Sequence, residues 1–168
     1  SQGAEIFGEI VPLTINMLNE KGYKIQIVQQ CIKSQIDSIA SFYKKKKINN
    51  YLFEFEKNIF DLILSSDIAI TRCGASTTAE LTSMLKPFIA VPIPNSIYNH
   101  QYLNGKFYED KGCCWMMDQN KFTSENLFNL VIKIIEDKSE LESKRDSMKK
   151  IYTKNVYNVI ENKIKDII

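Results

Sequence analysis

The 168 residues contain one histidine, no C-x-x-C pair and no Asp-x-Asp triplet. Structural zinc sites draw on Cys and His in paired spacings, so a zinc site is not expected. Without an acidic triplet there is no recognisable metal motif either. No apolar run approaches the roughly 20 residues that span a bilayer, and no signal-peptide pattern is visible. A net charge of +2 is too small to point to nucleic acid. Internal repeats and low-complexity tracts are lacking as well. The four cysteines, at 31, 73, 113 and 114, read as reduced thiols of a cytosolic protein. What is present is ordinary for one globular domain with a sizeable core: 44% hydrophobic and 25% charged residues. The single basic run, Lys44 to Lys47, follows an apolar-periodic helix (Ile36, Ile39, Ala40, Tyr43). It reads as a solvated helix end.

Strand and helix patterns alternate along the chain. The spacing of Ile6, Ile10, Leu13 and Met17 predicts a helix over residues 4–20, ended by Lys21-Gly22. Then follow a strand (24–29), a helix (34–46), a strand (51–55) and a short helix (58–65) with Asn58 as its cap. Next come a strand (67–71), a helix (76–85), a strand (88–93), a helix (99–111) and a strand (113–117). Helices fill the remainder from about Ser124, with Asp137 to Lys150 as an exposed charged segment. Apolar strands alternating with helices predict an α/β, Rossmann-like parallel sheet with helices on both faces. In such open sheets ligands bind beyond the carboxyl ends of the strands. The turns after Phe55, Thr71 and Pro92 all follow strands and therefore share that edge.

The stretch Arg72-Cys73-Gly74-Ala75-Ser76-Thr77-Thr78-Ala79-Glu80 carries the chemistry. It reads as a strand end, a glycine turn and a helix start. Gly74 lets the backbone turn sharply and come close to a ligand. Ser76 and Thr77 open a helix whose first amides lack partners, a favourable place for phosphate. One turn on, Glu80 can accept two hydrogen bonds from a vicinal diol such as a ribose. A phosphate-binding helix end beside a diol-binding acid points to a nucleotide. The competing reading is a capping box, Thr77-Thr78-Ala79-Glu80, that satisfies only the helix's own amides. Arg72 has two readings as well: neutralising a diphosphate, or holding the turn through backbone carbonyls. The Trp115-Met116-Met117 run reads as core.

Three motifs together resemble the MurG family of bacterial glycosyltransferases, which transfer N-acetylglucosamine to lipid I to form lipid II. They are the opening Ser1-Gln2-Gly3-Ala4, the Arg72–Thr82 stretch with the Val91-Pro92-Ile93-Pro94 strand end, and Asn99-His100-Gln101-Tyr102-Leu103-Asn104. The resemblance covers most of the chain. It implies a single donor-binding domain over residues 1–168, the carboxy-terminal half of a GT-B enzyme. The amino-terminal acceptor domain, with the acceptor and membrane contacts and the base, would lie outside these residues.

Carried over residue by residue, the resemblance places Ser1, with Gln2 beside it, and Thr77, with Ser76 beside it, at the phosphates of UDP-N-acetylglucosamine. Glu80 would hold the ribose hydroxyls. His100 and Gln101 would contact the sugar, and Asn104 would bond the sugar or stabilise its helix. Phe55 and Glu56 would border the uracil, Glu56 through its main chain, with Ile59 packed nearby. No catalytic residue, cofactor or metal is implied in this half. The partners implied are UDP-N-acetylglucosamine here, and lipid I and the cytoplasmic face of the inner membrane through the other half. Two departures stand out: Glu56 replaces an apolar residue, and Gly105 a usual Ala. Two alternatives remain. One is a donor-binding subunit of another lipid-linked N-acetylglucosamine transferase. The other is a GT-B nucleotide-sugar-binding domain without transferase activity, such as an epimerising one.

Overall fold

The computed structural model describes residues 2–94, 96–151 and 164–165. Helix α1 (Gln2–Glu20) leads to strand β1 (Gln26–Gln30), helix α2 (Lys33–Lys45) and strand β2 (Asn49–Phe53). A short helix α3 (Ile59–Ser65) precedes strand β3 (Ala69–Thr71) and helix α4 (Ala75–Ser83). Strand β4 (Phe88–Ala90), helix α5 (His100–Asp110) and strand β5 (Cys114–Met116) follow. Helices α6 (Ser124–Glu136) and α7 (Lys138–Ile151) come last. All strand pairings are parallel and form two groups, β1–β2 and β3–β4–β5. Parallel strands put all their carboxyl ends on one edge within each group.

The β3–β4–β5 sheet separates two cores by simple alternation. Ile89 and Val91 with Trp115 face one cluster, built from Val11, Ile15 and Leu18 of α1, Ile39 and Tyr43 of α2, and Leu127, Val131 and Ile134 of α6. Phe88, Ala90 and Cys114 face the other, with Leu81 of α4 and Met148 of α7. Each fully buried Leu or Ile contributes about 1.5–3 kcal/mol of transfer free energy. The thiols of Cys73, Cys113 and Cys114 act as small apolar groups in the second cluster.

Element ends differ from the sequence expectation where a partner runs out. Strand β2 stops at Phe53 because β1 stops at Gln30, and the Gln30 carboxamide takes the carbonyl of Glu54 (3.0 Å). Phe55 therefore lies past the strand and is 77% exposed. Beyond β4, Val91 still donates to Thr71 O at 2.8 Å, but Pro92 has no N–H with which to continue. In α1 the buried stripe is Val11, Thr14, Ile15 and Leu18, while Leu13 is half exposed. The charged segment 137–150 is an amphipathic helix rather than a purely solvated one. Met148 is fully buried, and Lys144 lies over the Trp115 ring (4.4 Å) and donates to Cys114 O (3.0 Å). In the basic run, Lys44, Lys45 and Lys47 are exposed at the end of α2, and Lys46 donates to Glu20 (3.0 Å).

Candidate functional site

Helix α4 begins at its cap residue Gly74 with no side-chain capping bond. Its first backbone bond runs from Thr78 N to Gly74 O (3.0 Å). The amides of Ala75, Ser76 and Thr77 precede that bond and have no acceptor within the helix. Ser76 is exposed, and Thr77 and Glu80 are half-buried. The capping box is not formed: Thr77 is the third helical residue rather than the cap, and it is the backbone carbonyl of Glu80 that receives Ser83 Oγ and Met84 N. Gly74 also needs a different account. Its φ of −66° suits any residue, and an added Cβ would meet nothing closer than Thr77 Oγ1 at 3.9 Å. Neither backbone strain nor packing within the chain demands glycine here. Glycine is among the residues favoured at a helix N-cap, which is the position Gly74 holds.

Helix α5 is fastened to this turn by two carboxamides. Gln101 Oε1 accepts from Cys73 N (3.3 Å) and Ile93 N (3.1 Å), joining the turns after β3 and β4. Asn104 Nδ2 donates to Cys73 O (2.8 Å) and Thr78 Oγ1 (2.9 Å). The backbone of fully buried Cys73 is thus held at both its N–H and its C=O. Arg72 adopts the second of its two arrangements. Its guanidinium donates to Val91 O (3.2 Å) and Pro92 O (3.4 Å) and lies over the Phe7 ring (5.0 Å).

The approach to α5 is strained. Tyr98 and Asn99 both lie in the left-handed region (φ 50° and 56°), which costs about 1–2 kcal/mol at Tyr98, whereas asparagine adopts it more readily. Ser96 holds the turn: its carbonyl accepts from Asn99 N (2.7 Å) and its hydroxyl from Gln101 N (3.2 Å). This aims His100 outward. Its Nδ1 lies 2.6 Å from Ile97 O, and a carbonyl only accepts, so Nδ1 carries the proton. Nε2 is the ring nitrogen left outside this bond. Gln101, with Oε1 occupied, presents its amide hydrogens.

Residues 72–80, 91–93 and 96–104 thus form one connected cluster. Phe55 and Glu56 belong to the turn after β2, and Ile59 opens α3. In that turn the Glu56 carboxylate accepts from Asn58 N (2.9 Å) and Tyr51 Oη (2.7 Å). These bonds, the amide first, hold its carboxyl below the ordinary range. Ser1 lies outside the described residues, and Gln2 enters only as the first backbone position of α1. Trp115 is buried and donates to Glu140 (2.8 Å), whereas Met116 and Met117 are half-buried and line a cleft with Tyr102, Asp118 and Lys121. No trio of His, Cys, Asp or Glu among the described residues could hold a metal ion. None of the helices is long and apolar enough to cross a membrane, among the described residues. Motif reading had not singled out Ser96, nor the roles of Cys73 and Thr78, because their partners lie 5 to 31 positions away.

Residues 1–162 match the glycosyltransferase family 28 C-terminal domain. The chain belongs to this family. Over its whole length this family 28 domain is 37% identical to a protein of Pelagibacter ubique and 35% identical to one of Rickettsia bellii. Both carry the name UDP-N-acetylglucosamine–N-acetylmuramyl-(pentapeptide) pyrophosphoryl-undecaprenol N-acetylglucosamine transferase. The domain spans about half of each, 47% and 48%. Among solved structures it is similar to Acinetobacter baumannii MurG, with TM-score 0.81 at 21% identity over 98% of this chain and 47% of that one. A UDP-N-acetylglucosamine 2-epimerase has TM-score 0.63 at 13% identity over 84% of this chain and 36% of that one. These two likenesses concern the fold alone: parallel strands with helices on both sides.

Proposed function

We propose that this domain binds UDP-N-acetylglucosamine for an enzyme that transfers the sugar to lipid I, forming lipid II in peptidoglycan synthesis. The observation that carries the reading is the pairing of two features on one edge. The start of α4 offers three amides that have no acceptor within the helix, with Glu80 one turn beyond. Helix α5 sets polar groups beside it that are already oriented by the chain. The names of the relatives supply the choice of sugar and acceptor.

In this reading the amides of Ala75, Ser76 and Thr77, with the Thr77 hydroxyl, hold the diphosphate. Glu80 accepts from the ribose hydroxyls, and the main chain of Glu56 with Phe55 borders the uracil. His100, Gln101 and Asn104 meet the sugar. Transfer breaks the bond between the anomeric carbon and the diphosphate oxygen, so negative charge grows on departing UDP. Oriented amides and the positive end of the α4 dipole stabilise that charge without reorganising. The acceptor hydroxyl loses its proton to a base on the other half of the enzyme, which also meets the cytoplasmic membrane surface. Alone, this domain binds donor and turns nothing over.

Calorimetry with UDP-N-acetylglucosamine and with UDP, both in chelator, tests the proposal. Binding of both is expected. Strict dependence on added Mg²⁺ or Mn²⁺ would remove the amide-and-dipole account. Conversion of the sugar nucleotide to its 2-epimer would favour the epimerase alternative.

A further inference from the structure

Thr78 has no exposed surface, so it offers nothing for a ligand at the α4 start to touch. Its hydroxyl nevertheless decides how the site presents itself. The hydroxyl hydrogen goes to Gly74 O (3.0 Å) or Ala75 O (3.2 Å), and both of these only accept. The lone pairs of Thr78 Oγ1 are therefore what Asn104 meets, and Asn104 must answer with a donor. It does so through Nδ2 at 2.9 Å, while the second Nδ2 hydrogen goes to Cys73 O at 2.8 Å. Two acceptors from separate segments thus fix the carboxamide against flipping. Asn104 Oδ1 points away from both, accepts from no described residue and is not buried.

We propose that Thr78 is a positioning residue for sugar recognition, acting through Asn104 to hold Oδ1 out as a hydrogen-bond acceptor beside the donor hydrogens of Gln101 Nε2. Residues 101 and 104 lie three apart on one face of α5. An acceptor and a donor side by side match pyranose hydroxyls, each of which gives one hydrogen and accepts others. Without the Thr78 hydroxyl, Asn104 loses one of its two anchors and one amide hydrogen is left unpaired. The inference rests on the donor-site reading above and assigns a role to a buried residue that touches no substrate.

The test is calorimetry on the intact protein with UDP-N-acetylglucosamine and with UDP. The variants are Thr78→Val, Thr78→Ser, Asn104→Ala and the Thr78→Val/Asn104→Ala pair. Thr78→Val keeps the shape and removes the hydroxyl. It is expected to weaken UDP-N-acetylglucosamine about three- to tenfold, the worth of one hydrogen bond, and to change UDP by less than about twofold. Thr78→Ser, which restores the hydroxyl, should bind the sugar nucleotide like the parent. In the pair, Thr78→Val should add nothing to the loss caused by Asn104→Ala. Thr78→Ala serves as a second hydroxyl-free variant, with the same selective loss expected, should the valine not fold. Equal losses for both ligands would overturn the inference and make Thr78 a support of the phosphate turn. Additive losses in the pair would overturn it too. If the parent protein binds neither ligand, the donor-site reading falls, and this inference with it.

Discussion

Gly105 lies inside helix α5, and the structure supplies a reason for the missing side chain in the form of a distance. A Cβ at this position would lie 3.1 Å from Cys73 Sγ and 3.6 Å from Met116 Sδ. Inside a helix, Gly→Ala ordinarily gains about 1 kcal/mol. Overpacking a buried site costs about 1–3 kcal/mol unless the neighbour gives way. Cys73 is poorly able to give way: it has no exposure, and Gln101 and Asn104 hold its backbone on both sides. The two terms leave Gly105→Ala destabilised by about 1 kcal/mol. Cys73→Ala alone also costs stability, through the space it opens. Together the two changes exchange a sulfur for a methyl, so the pair should be better than the sum of the singles by about 1–2 kcal/mol. Urea denaturation reads this directly, since 1 kcal/mol moves the midpoint by about 0.3–1 M. UDP binding by the same variants should follow, weakened in Gly105→Ala and recovered in the pair, because Cys73 leads into the α4 start. A Gly105→Ala protein more stable than the parent, or strictly additive singles, would refute the reasoning.

Glu80→Ala should weaken UDP and UDP-N-acetylglucosamine alike, by about 1.5–3 kcal/mol for a charged acceptor, with an unchanged thermal midpoint because no capping bond is lost; calorimetry and thermal melts check both halves. Gln101→Ala removes the acceptor of two backbone amides, so a stability loss of roughly 1–3 kcal/mol in urea should accompany weaker sugar-nucleotide binding, and a variant as stable as the parent would contradict the two bonds. Burial pushes the Cys73 thiol up from about 9 to about 12. A raised native value means its contribution is whole below pH 9 and declines toward about pH 12, as the unfolded thiol ionises first. Urea midpoints should therefore fall more steeply with pH above 9 in the parent than in Cys73→Ala.

The alternation of elements was legible because apolar strands and capped helices leave local marks. Gly22 at φ +92° ends α1 as its sequence position implies. Strand ends were less legible, since pairing partners decide them: β2 stops where Gln30 ends its neighbour, not where the apolar pattern of residues 51–55 fades. The site was visible as a set of residues, while their division of labour was not. Glu80 and Thr77 could equally have been a capping box by spacing; only the position of the helix start, at Gly74, separates the two. Lys86 left no mark of its role at all. It is buried, its pKa is lowered by that burial, and its ammonium donates to the carbonyls of Leu64 and Ser66 at the end of α3. Such long-range contacts follow from the fold and have no local spacing to betray them.

The polar residues of α5 each do two things with one side chain, and this limits what truncation can say about them. Gln101 spends its oxygen on Cys73 and Ile93 and keeps its nitrogen. Asn104 spends its nitrogen on Cys73 and Thr78 and keeps its oxygen. His100 commits Nδ1 to Ile97 and keeps Nε2. Alanine at any of the three removes the anchoring half together with the free half, so a lost affinity does not distinguish ligand contact from a loosened turn. The distinction lies between ligands. On the donor-site proposal, a side chain that only supports the turn should affect UDP and UDP-sugar equally, because both would need the α4 amides. A side chain that also meets the sugar adds a further loss for the sugar nucleotide. The difference between the two affinities isolates the free half of each side chain. That is why a buried hydroxyl that touches neither ligand is the sharpest place to probe recognition: replacing Thr78 removes an anchor that orients the free atom while Asn104 keeps that atom.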